Sequence, residues 1–134
     1  MSAVKITEGI YSVGINNPNM RVFDIIMKTD SGTSYNSYLV RGSEKTALIE
    51  TCHENFFPQY LENIKEVCPL EEIDYIIMNH NEPDHSGSLA KLMAQMPKAK
   101  LIASQAGSIY LKNITNIDNL DVQKVKDGDT LDLG

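Results

Sequence analysis

The residues with the clearest chemical potential form a short polar turn in the middle of the chain. His80, Glu82, Asp84 and His85 place two imidazoles and two carboxylates within six residues. His80 and Glu82 would project to the same side of the chain where the backbone is extended. Pro83 favours an extended conformation at Glu82, the residue before it. Imidazole and carboxylate ligands suit iron, manganese or zinc, and the absence of a nearby thiolate argues against an iron–sulfur centre. The spacing therefore predicts a metal site with mixed nitrogen and oxygen ligands.

A second interpretation of the same turn involves no metal. Asp84 would then be the N-cap of the following helix, and His80 and His85 would be solvated loop residues. Each residue taken alone fits this interpretation. The cluster as a whole favours the metal site, because four such ligands in one turn are costly to assemble without a use.

The elements on either side of the turn are predicted from their hydrophobic patterns. Residues 73–78 are apolar enough for a buried strand, and a helix is predicted from about residue 86 to Pro97. A strand at residues 99–103 and a short helix at residues 104–111 follow. This alternation predicts parallel pairing, with the ligand turn at the carboxyl end of the first strand.

The first half of the chain is predicted to be an antiparallel meander. Residues 4–6 and 10–13 alternate apolar with polar side chains around a glycine, as in a short hairpin. Further strands are predicted at residues 21–27, 35–40 and 46–50, separated by turns.

A helix is predicted after this meander, where the hydrophobic period changes to about 3.6 residues. Its apolar stripe consists of Phe57, Tyr60, Leu61, Ile64 and Val67. In the preceding loop, His53 is interpreted as a capping or surface histidine rather than a metal ligand. Cys52 and Cys68 flank the helix, whose length holds them too far apart for a disulfide, so both are predicted to be reduced and structural.

The last part of the chain is predicted to be a second hairpin. Residues 122–125 and 130–133 have strand character, and the turn between them, residues 126–129, contains aspartate and glycine. No covering helix follows, so an exposed sheet edge or face is expected here.

Length and charge exclude several classes of function. The chain has 134 residues, 42% of them hydrophobic, which predicts a single domain with a real core. Its net charge of −6 and its lack of a basic run argue against binding to nucleic acid or anionic membranes. No apolar stretch is long enough to span a membrane, and the first residues lack the features of a signal peptide. A cytoplasmic location is therefore expected.

The ligand turn resembles the iron-binding motif of the flavodiiron proteins, also called A-type flavoproteins. The motif of His80, Glu82, Asp84 and His85 matches theirs, whereas hydrolases of the same superfamily carry histidine where this chain has Glu82. Residues 32–39, 45–50 and 81–88 are also similar to that family. The resemblance extends over essentially the whole chain.

This resemblance implies an α/β fold, the αββα metallo-β-lactamase-like sandwich, of which residues 1–134 form the N-terminal half. It implies that His80 and Glu82 bind one iron and that Asp84 and His85 bind the other. In the family, electrons arriving through FMN reduce dioxygen to water or nitric oxide to nitrous oxide. The remaining ligands, two histidines and a bridging aspartate, belong to later family sequence, as does the flavodoxin-like domain that binds FMN.

The chain is therefore expected to be a fragment or subunit of a flavodiiron oxidoreductase that is inactive alone. Its iron site is expected to be partial, empty or filled by zinc, and FMN is not expected to bind. The expected partners are a second copy of the chain, or a chain that supplies the missing half-domain or the flavodoxin-like domain. Two alternatives are a metallo-β-lactamase-fold hydrolase and a non-catalytic oligomerising module. Zinc with esterase activity would favour the hydrolase, and a stable oligomer without tight metal binding would favour the module.

Overall fold

The computed structural model describes residues 3–17, 22–23, 27–28, 33–79, 87–115 and 122–134. Within these ranges the strands are β1 (Val4–Thr7), β2 (Ile10–Ser12), β3 (Ile15–Asn17), β4 (Val22–Phe23), β5 (Met27–Lys28), β6 (Thr33–Tyr35), β7 (Tyr38–Arg41), β8 (Thr46–Ile49), β9 (Tyr75–Ile77), β10 (Lys100–Ser104) and β11 (Val122–Val125). The helices are α1 (Phe57–Val67), α2 (Leu89–Gln95) and α3 (Gln105–Thr115), with 3-10 turns at Glu54–Phe56 and Leu70–Glu72. No helix in the described part of the chain is long and apolar enough to cross a membrane.

A mixed sheet of seven strands forms the centre of the molecule, in the order β1-β2-β7-β8-β9-β10-β11. The four strands β1, β2, β7 and β8 pair antiparallel with one another in this order. Neighbours from β8 to β11 pair parallel, which confirms the predicted strand, helix, strand unit. The carboxyl ends of β8, β9, β10 and β11 therefore meet at one edge of the sheet, where α/β proteins commonly bind ligands.

The hydrophobic core lies on the face of the sheet that the helices cover. The strand register places Leu39, Leu48, Ile76 and Leu101 in one row across four strands, and all four side chains are fully buried. The helices contribute buried side chains to the same core: Tyr60, Ile64, Leu89, Leu92 and Leu111. The apolar stripe predicted for α1 is thus confirmed as the face that packs.

The predicted N-terminal hairpin is confirmed. β1 and β2 pair antiparallel, and Gly9 lies between them with φ of 80°. A side chain at Gly9 would place a Cβ atom 2.8 Å from the carbonyl oxygen of Arg41. Glycine is favoured here by both the left-handed conformation and this close approach.

The single strand predicted at residues 21–27 is wrong. Val22–Phe23 and Met27–Lys28 pair with each other antiparallel, so the chain reverses direction between them. The segment resembles one strand because apolar composition does not distinguish a continuous strand from two short strands that pair with each other.

The single strand predicted at residues 35–40 is also wrong, because β6 and β7 are separate strands. β6 pairs with β3 in a small sheet of its own, whereas β7 joins the central sheet. The break lies at Ser37, whose hydroxyl donates to the Ile49 carbonyl over 2.8 Å and whose carbonyl accepts from Val13 N over 2.9 Å. The first half is therefore not a simple meander, since β3 and β6 leave the central sheet between β2 and β7.

The hairpin predicted near the end of the chain is wrong in its second strand. The turn itself forms, with Asp129 N donating to the Lys126 carbonyl over 3.0 Å. Residues 130–133 then make no strand, and the Leu133 carbonyl accepts from Glu44 N and Lys45 N, each over 3.0 Å. This segment alternates like a strand, but its backbone finds partners in the loop between β7 and β8 instead of beside β11.

Candidate metal centre

The predicted ligand turn begins directly after β9, at the edge where the parallel strands end. Met78 N still donates to the Ile102 carbonyl over 2.9 Å, and the next residue, Asn79, is exposed. His80, Glu82, Asp84 and His85 lie outside the described residues, so the geometry of these side chains remains a prediction. Among the residues that the structure does describe, no group of three or more His, Cys, Asp or Glu side chains is placed to hold a metal.

The start of the turn is held by a carboxylate from the neighbouring strand. Glu50 follows β8 directly, and its Oε1 accepts a hydrogen bond from the backbone N–H of Asn79. Glu50 is only 5% exposed, whereas Asn79 is exposed, so the contact lies at the boundary between the core and the surface. The residue that immediately precedes His80 is therefore fixed to the end of β8.

The end of the turn is held by the same short segment. Ser88 N donates to the Cys52 carbonyl over 3.0 Å, and the Ser88 hydroxyl lies 3.5 Å from the Cys52 sulfur. Both residues are fully buried. The segment of residues 50–52, named here the anchor segment, thus contacts both ends of the span that carries all four predicted ligands.

The backbone of Glu50 has an uncommon conformation. Its φ is 68°, and it is the one non-glycine residue with a positive φ among those described. Such a conformation costs roughly 1–3 kcal/mol and persists only when the surroundings impose it. The Glu50 amide donates to the Ile77 carbonyl over 2.8 Å, and the Glu50 carbonyl accepts from the Tyr60 hydroxyl over 2.9 Å. Hydrogen bonds on both sides of the residue therefore impose this conformation.

Tyr60 belongs to a buried pair of hydroxyl groups beneath the anchor segment. Its oxygen lies 2.7 Å from the hydroxyl oxygen of Ser37, which also lies 3.3 Å from the Glu50 carbonyl. Burial raises the pKa of Tyr60 well above its ordinary value of 10, so the hydroxyl keeps its proton. Tyr60 therefore remains a hydrogen-bond donor to Glu50 at any ordinary pH.

The thiol of Cys52 lies beside Ser88 at the end of the turn. Burial raises the pKa of Cys52 to about 11, so its sulfur stays protonated at neutral pH in the metal-free chain. Cys52 and Cys68 are both free and buried, which confirms their predicted reduced, structural state. The donors available at the turn are imidazole and carboxylate, a set that fits iron.

His53 has a structural role of its own. Its Nδ1 accepts from Asn55 N over 3.3 Å and caps the 3-10 turn at Glu54–Phe56. Its ring lies 6.2 Å from the ring of Tyr35. The interpretation of His53 as a capping residue is confirmed.

A cavity of about 220 Å³ lies at the same edge of the sheet, beyond the end of β9. Its lining includes Asn79 together with Ser104, Lys126 and Asp127 from the ends of β10 and β11. Ile77, Ile102 and Val125 also line it, so the residue that precedes the ligand turn borders a recess of mixed polar and apolar character.

Sequence reasoning missed the role of the anchor segment. Glu50 was assigned to the end of a strand, and Cys52 and Ser88 were given no part in the site. The available signal was an acidic residue, Glu50, directly after the buried strand β8. A charge at such a place requires a partner, and here the partner is the backbone of the turn.

Comparison with known proteins gives a consistent set of matches. Residues 33–134 match a family model described as ODP family beta lactamase. The flavo-diiron protein FprA2 of Clostridium acetobutylicum is 61% identical over 134 residues, which are 100% of this chain and 33% of that protein. The anaerobic nitric oxide reductase flavorubredoxin of Salmonella arizonae is 37% identical over 133 residues, which are 98% of this chain and 28% of that protein.

The solved structures agree with the sequence matches. Rubredoxin oxygen:oxidoreductase from Desulfovibrio gigas superposes with a TM-score of 0.94 at 34% identity, over 99% of this chain and 33% of that one. This likeness confirms the predicted fold class, the N-terminal half of an α/β metallo-β-lactamase-like sandwich. The chain spans about a third of the length of the curated relatives it matches.

Proposed function

We propose that this chain supplies half of an iron site. The premise is that the chain belongs to the ODP beta-lactamase-like family of the flavodiiron proteins, as the N-terminal part of that domain. In this proposal residues 1–134 form one unit, and His80, Glu82, Asp84 and His85 are the metal ligands. His80 and Glu82 hold one iron, and Asp84 and His85 hold the other. When bound, iron would supply redox chemistry, passing to the substrate electrons that it receives from a donor.

The observation that carries the proposal is the double attachment of the ligand turn. Asn79 N bonds to the Glu50 carboxylate and Ser88 N bonds to the Cys52 carbonyl, so both ends of the span are fixed to one buried segment. Fixed residues on either side of a ligand span would lower the entropy lost when a metal binds. Glu82 supports iron over a hydrolytic zinc centre, because a carboxylate is a harder ligand than the histidine of the related hydrolases.

The substrate class follows from the relatives. One is named a nitric oxide reductase and another a rubredoxin oxygen:oxidoreductase. We therefore propose that this chain contributes to an oxidoreductase that reduces dioxygen to water or nitric oxide to nitrous oxide. FMN, which delivers electrons in the family, would be held by a flavodoxin-like domain and not by the residues of this chain.

The proposal is tested by titrating the purified chain with ferrous iron under anaerobic conditions. The expected result is weak binding of about one iron per chain, because two imidazoles and two carboxylates fill only part of the coordination shells of two metals. The measurement is iron content after gel filtration together with a dissociation constant from competition with a chelator. Tight zinc binding with ester hydrolysis, or no metal binding at all, would overturn the proposal.

We also propose that the chain associates with a second copy of itself. β1 lies at the end of the central sheet, and its side chains Val4 and Ile6 are 58% and 56% exposed. An exposed edge strand with apolar side chains favours pairing with another strand. The molar mass measured by light scattering is expected to be that of a dimer or a higher oligomer. A compact monomer at every concentration would contradict the proposed association.

A cytoplasmic location is part of the proposal. Cys52 and Cys68 are free and buried, as is usual for proteins in a reducing compartment. Recovery of the chain in the soluble cytoplasmic fraction after cell disruption is the expected observation.

A further inference from the structure

We infer that residues 130–134, named here the strap, form a lid over the face of the central sheet that the described helices leave uncovered. The lid is latched at its far end by the Leu133 carbonyl, and the latch has space to close because residue 42 is glycine. The occupant of this face is therefore a segment of the same chain. The inference concerns the second face of the sheet and does not depend on the proposed metal site.

The first step is the path of the strap. The turn at residues 126–129 follows β11, at the edge where the parallel strands end, whereas the Leu133 carbonyl accepts from Glu44 N and Lys45 N in the loop before β8 begins. The strap therefore runs to the opposite edge of the sheet and passes from β11 across β10 and β9 to β8. Neighbouring strands lie about 4.8 Å apart and rise about 3.3 Å per residue, so this diagonal is roughly 20 Å, a distance that about six extended residues span.

The second step is the face on which the strap lies. The core row across β7, β8, β9 and β10 faces the helices, and all three described helices contribute side chains to that core. The next residue in each strand points to the opposite side, named here the second face. The register rows on the second face are Tyr38, Ile49, Ile77 and Ile102, and Val40, Ala47, Tyr75 and Lys100.

Burial on the second face follows the path of the strap. Ile102 and Ala47 lie on the diagonal from the end of β11 to the start of β8, and they are 3% and 1% exposed. Lys100 lies off this diagonal, at the start of β10, and is exposed. Tyr38 lies on β7, which the strap does not reach, and is 36% exposed. A cover confined to the diagonal is what a single crossing segment produces.

The third step is the latch. The Leu133 carbonyl accepts two backbone hydrogen bonds, from Glu44 N and Lys45 N, each over 3.0 Å. A Cβ atom at position 42 would overlap the Leu133 carbonyl oxygen and lie 2.5 Å from the Leu133 Cβ atom. Gly42 is not among the glycines with positive φ, so this position requires glycine for space and not for backbone conformation. Alanine at position 42 is therefore expected to displace the strap while the loop keeps its shape.

The near end of the strap borders the recess at the carboxyl ends of the strands. Ile77, Ile102 and Val125 line this recess from the sheet, and Lys126 and Asp127 line it from the turn that leads into the strap. The recess is thus a gap between the sheet and the root of the strap. Release of the latch would widen it, so access to this end of the second face depends on a contact at the opposite edge of the sheet.

The latch is tested by amide hydrogen exchange at Glu44 and Lys45 in the full chain. Both amides are expected to be protected in the unchanged chain and to exchange rapidly in Gly42→Ala. Leu133→Asp acts from the strap side, because it places a charge where a half-buried leucine packs, and it is expected to have the same effect. It leaves the loop unaltered, so it decides the question even where Gly42→Ala disturbs the loop. Unchanged protection of both amides in both variants would overturn the inference.

The lid is tested with the dye anilinonaphthalene sulfonate, whose fluorescence reports exposed apolar surface. We expect the fluorescence of the bound dye to rise several-fold in Gly42→Ala and in Leu133→Asp, relative to the unchanged chain. Continued protection of the Leu48 and Ile76 amides shows that the central sheet stays folded in these variants. Rapid exchange at Glu44 and Lys45 without a rise in dye fluorescence would overturn the inference, because the strap would then have left without uncovering an apolar face.

Glu44→Ala is the matched control in the same loop. Glu44 is exposed and contributes its backbone N–H to the latch, so loss of its side chain is expected to leave amide protection and dye fluorescence unchanged. Release of the strap by Glu44→Ala to the same extent as by Gly42→Ala would overturn the role assigned to Gly42, since any change in the loop would then open the latch.

Discussion

Replacing His80 or Glu82 with alanine is expected to abolish metal binding by the chain while leaving its fold intact. Each substitution removes one of four predicted ligands, and the remaining three cannot complete the coordination shell of a metal ion without added water. The core row of Leu39, Leu48, Ile76 and Leu101 does not include the turn, so the melting temperature of the metal-free chain should change little. The measurements are iron or cobalt titration and thermal unfolding followed by circular dichroism.

His53→Ala and Glu54→Ala are the matched controls for these substitutions. His53 is the remaining histidine of the chain and caps a 3-10 turn, and Glu54 is exposed in that turn. His53→Ala is expected to cost about 0.5–2 kcal/mol of stability, the usual value for a lost N-cap, and to leave metal binding unchanged. Equal loss of metal in His53→Ala and His80→Ala would show that the imidazole of His80 has no special role.

The second large effect concerns turnover, which is expected to be absent from the 134-residue chain on its own. Of its three histidines, two, His80 and His85, are predicted ligands, so the chain would offer two imidazoles to two irons. A bridging carboxylate and further imidazoles are needed to hold two irons close together, and no flavin site is proposed here to pass electrons to them. After anaerobic reconstitution with ferrous iron and addition of an electron donor, consumption of dioxygen or nitric oxide should equal that of free iron.

A full-length flavodiiron relative assayed in the same way provides the positive control for turnover. Two tightly held irons per chain with rapid consumption of dioxygen would contradict the prediction. It would mean that the four ligands of one turn, in one copy or in an oligomer, suffice for a working centre. Turnover that appears only after a separate chain with the later ligands is added would agree with the prediction.

The sequence by itself determined the elements around the candidate site. The hydrophobic patterns before and after the turn predicted β9, α2 and β10 and their parallel pairing, as the structure has them. The four ligand types and their spacing were likewise evident. These features are local, since each depends on neighbouring residues and on the periodicity of a single element.

The errors of prediction occurred where partners distant in the chain decide the structure. Residues 35–40 looked like one strand, but the buried hydroxyl of Ser37 bonds to the Ile49 carbonyl and the strand breaks. Residues 130–133 alternated like a strand, but the Leu133 carbonyl bonds to the loop before β8. In both segments the periodicity was real, and contacts with distant residues overrode it.

The attachment of the ligand turn was decided only by the tertiary structure. Glu50 and Asn79 are 29 residues apart, and Ser37 and Tyr60 are 23 residues apart. No local pattern pairs them. The pairing of β8 with β9 brings the first pair together, and the contact of Tyr60 with the residue that follows β8 brings α1 to Ser37. A ligand motif depends on side-chain chemistry and short spacing, which sequence carries directly, whereas the hydrogen bonds that hold it depend on which strands become neighbours in the folded sheet.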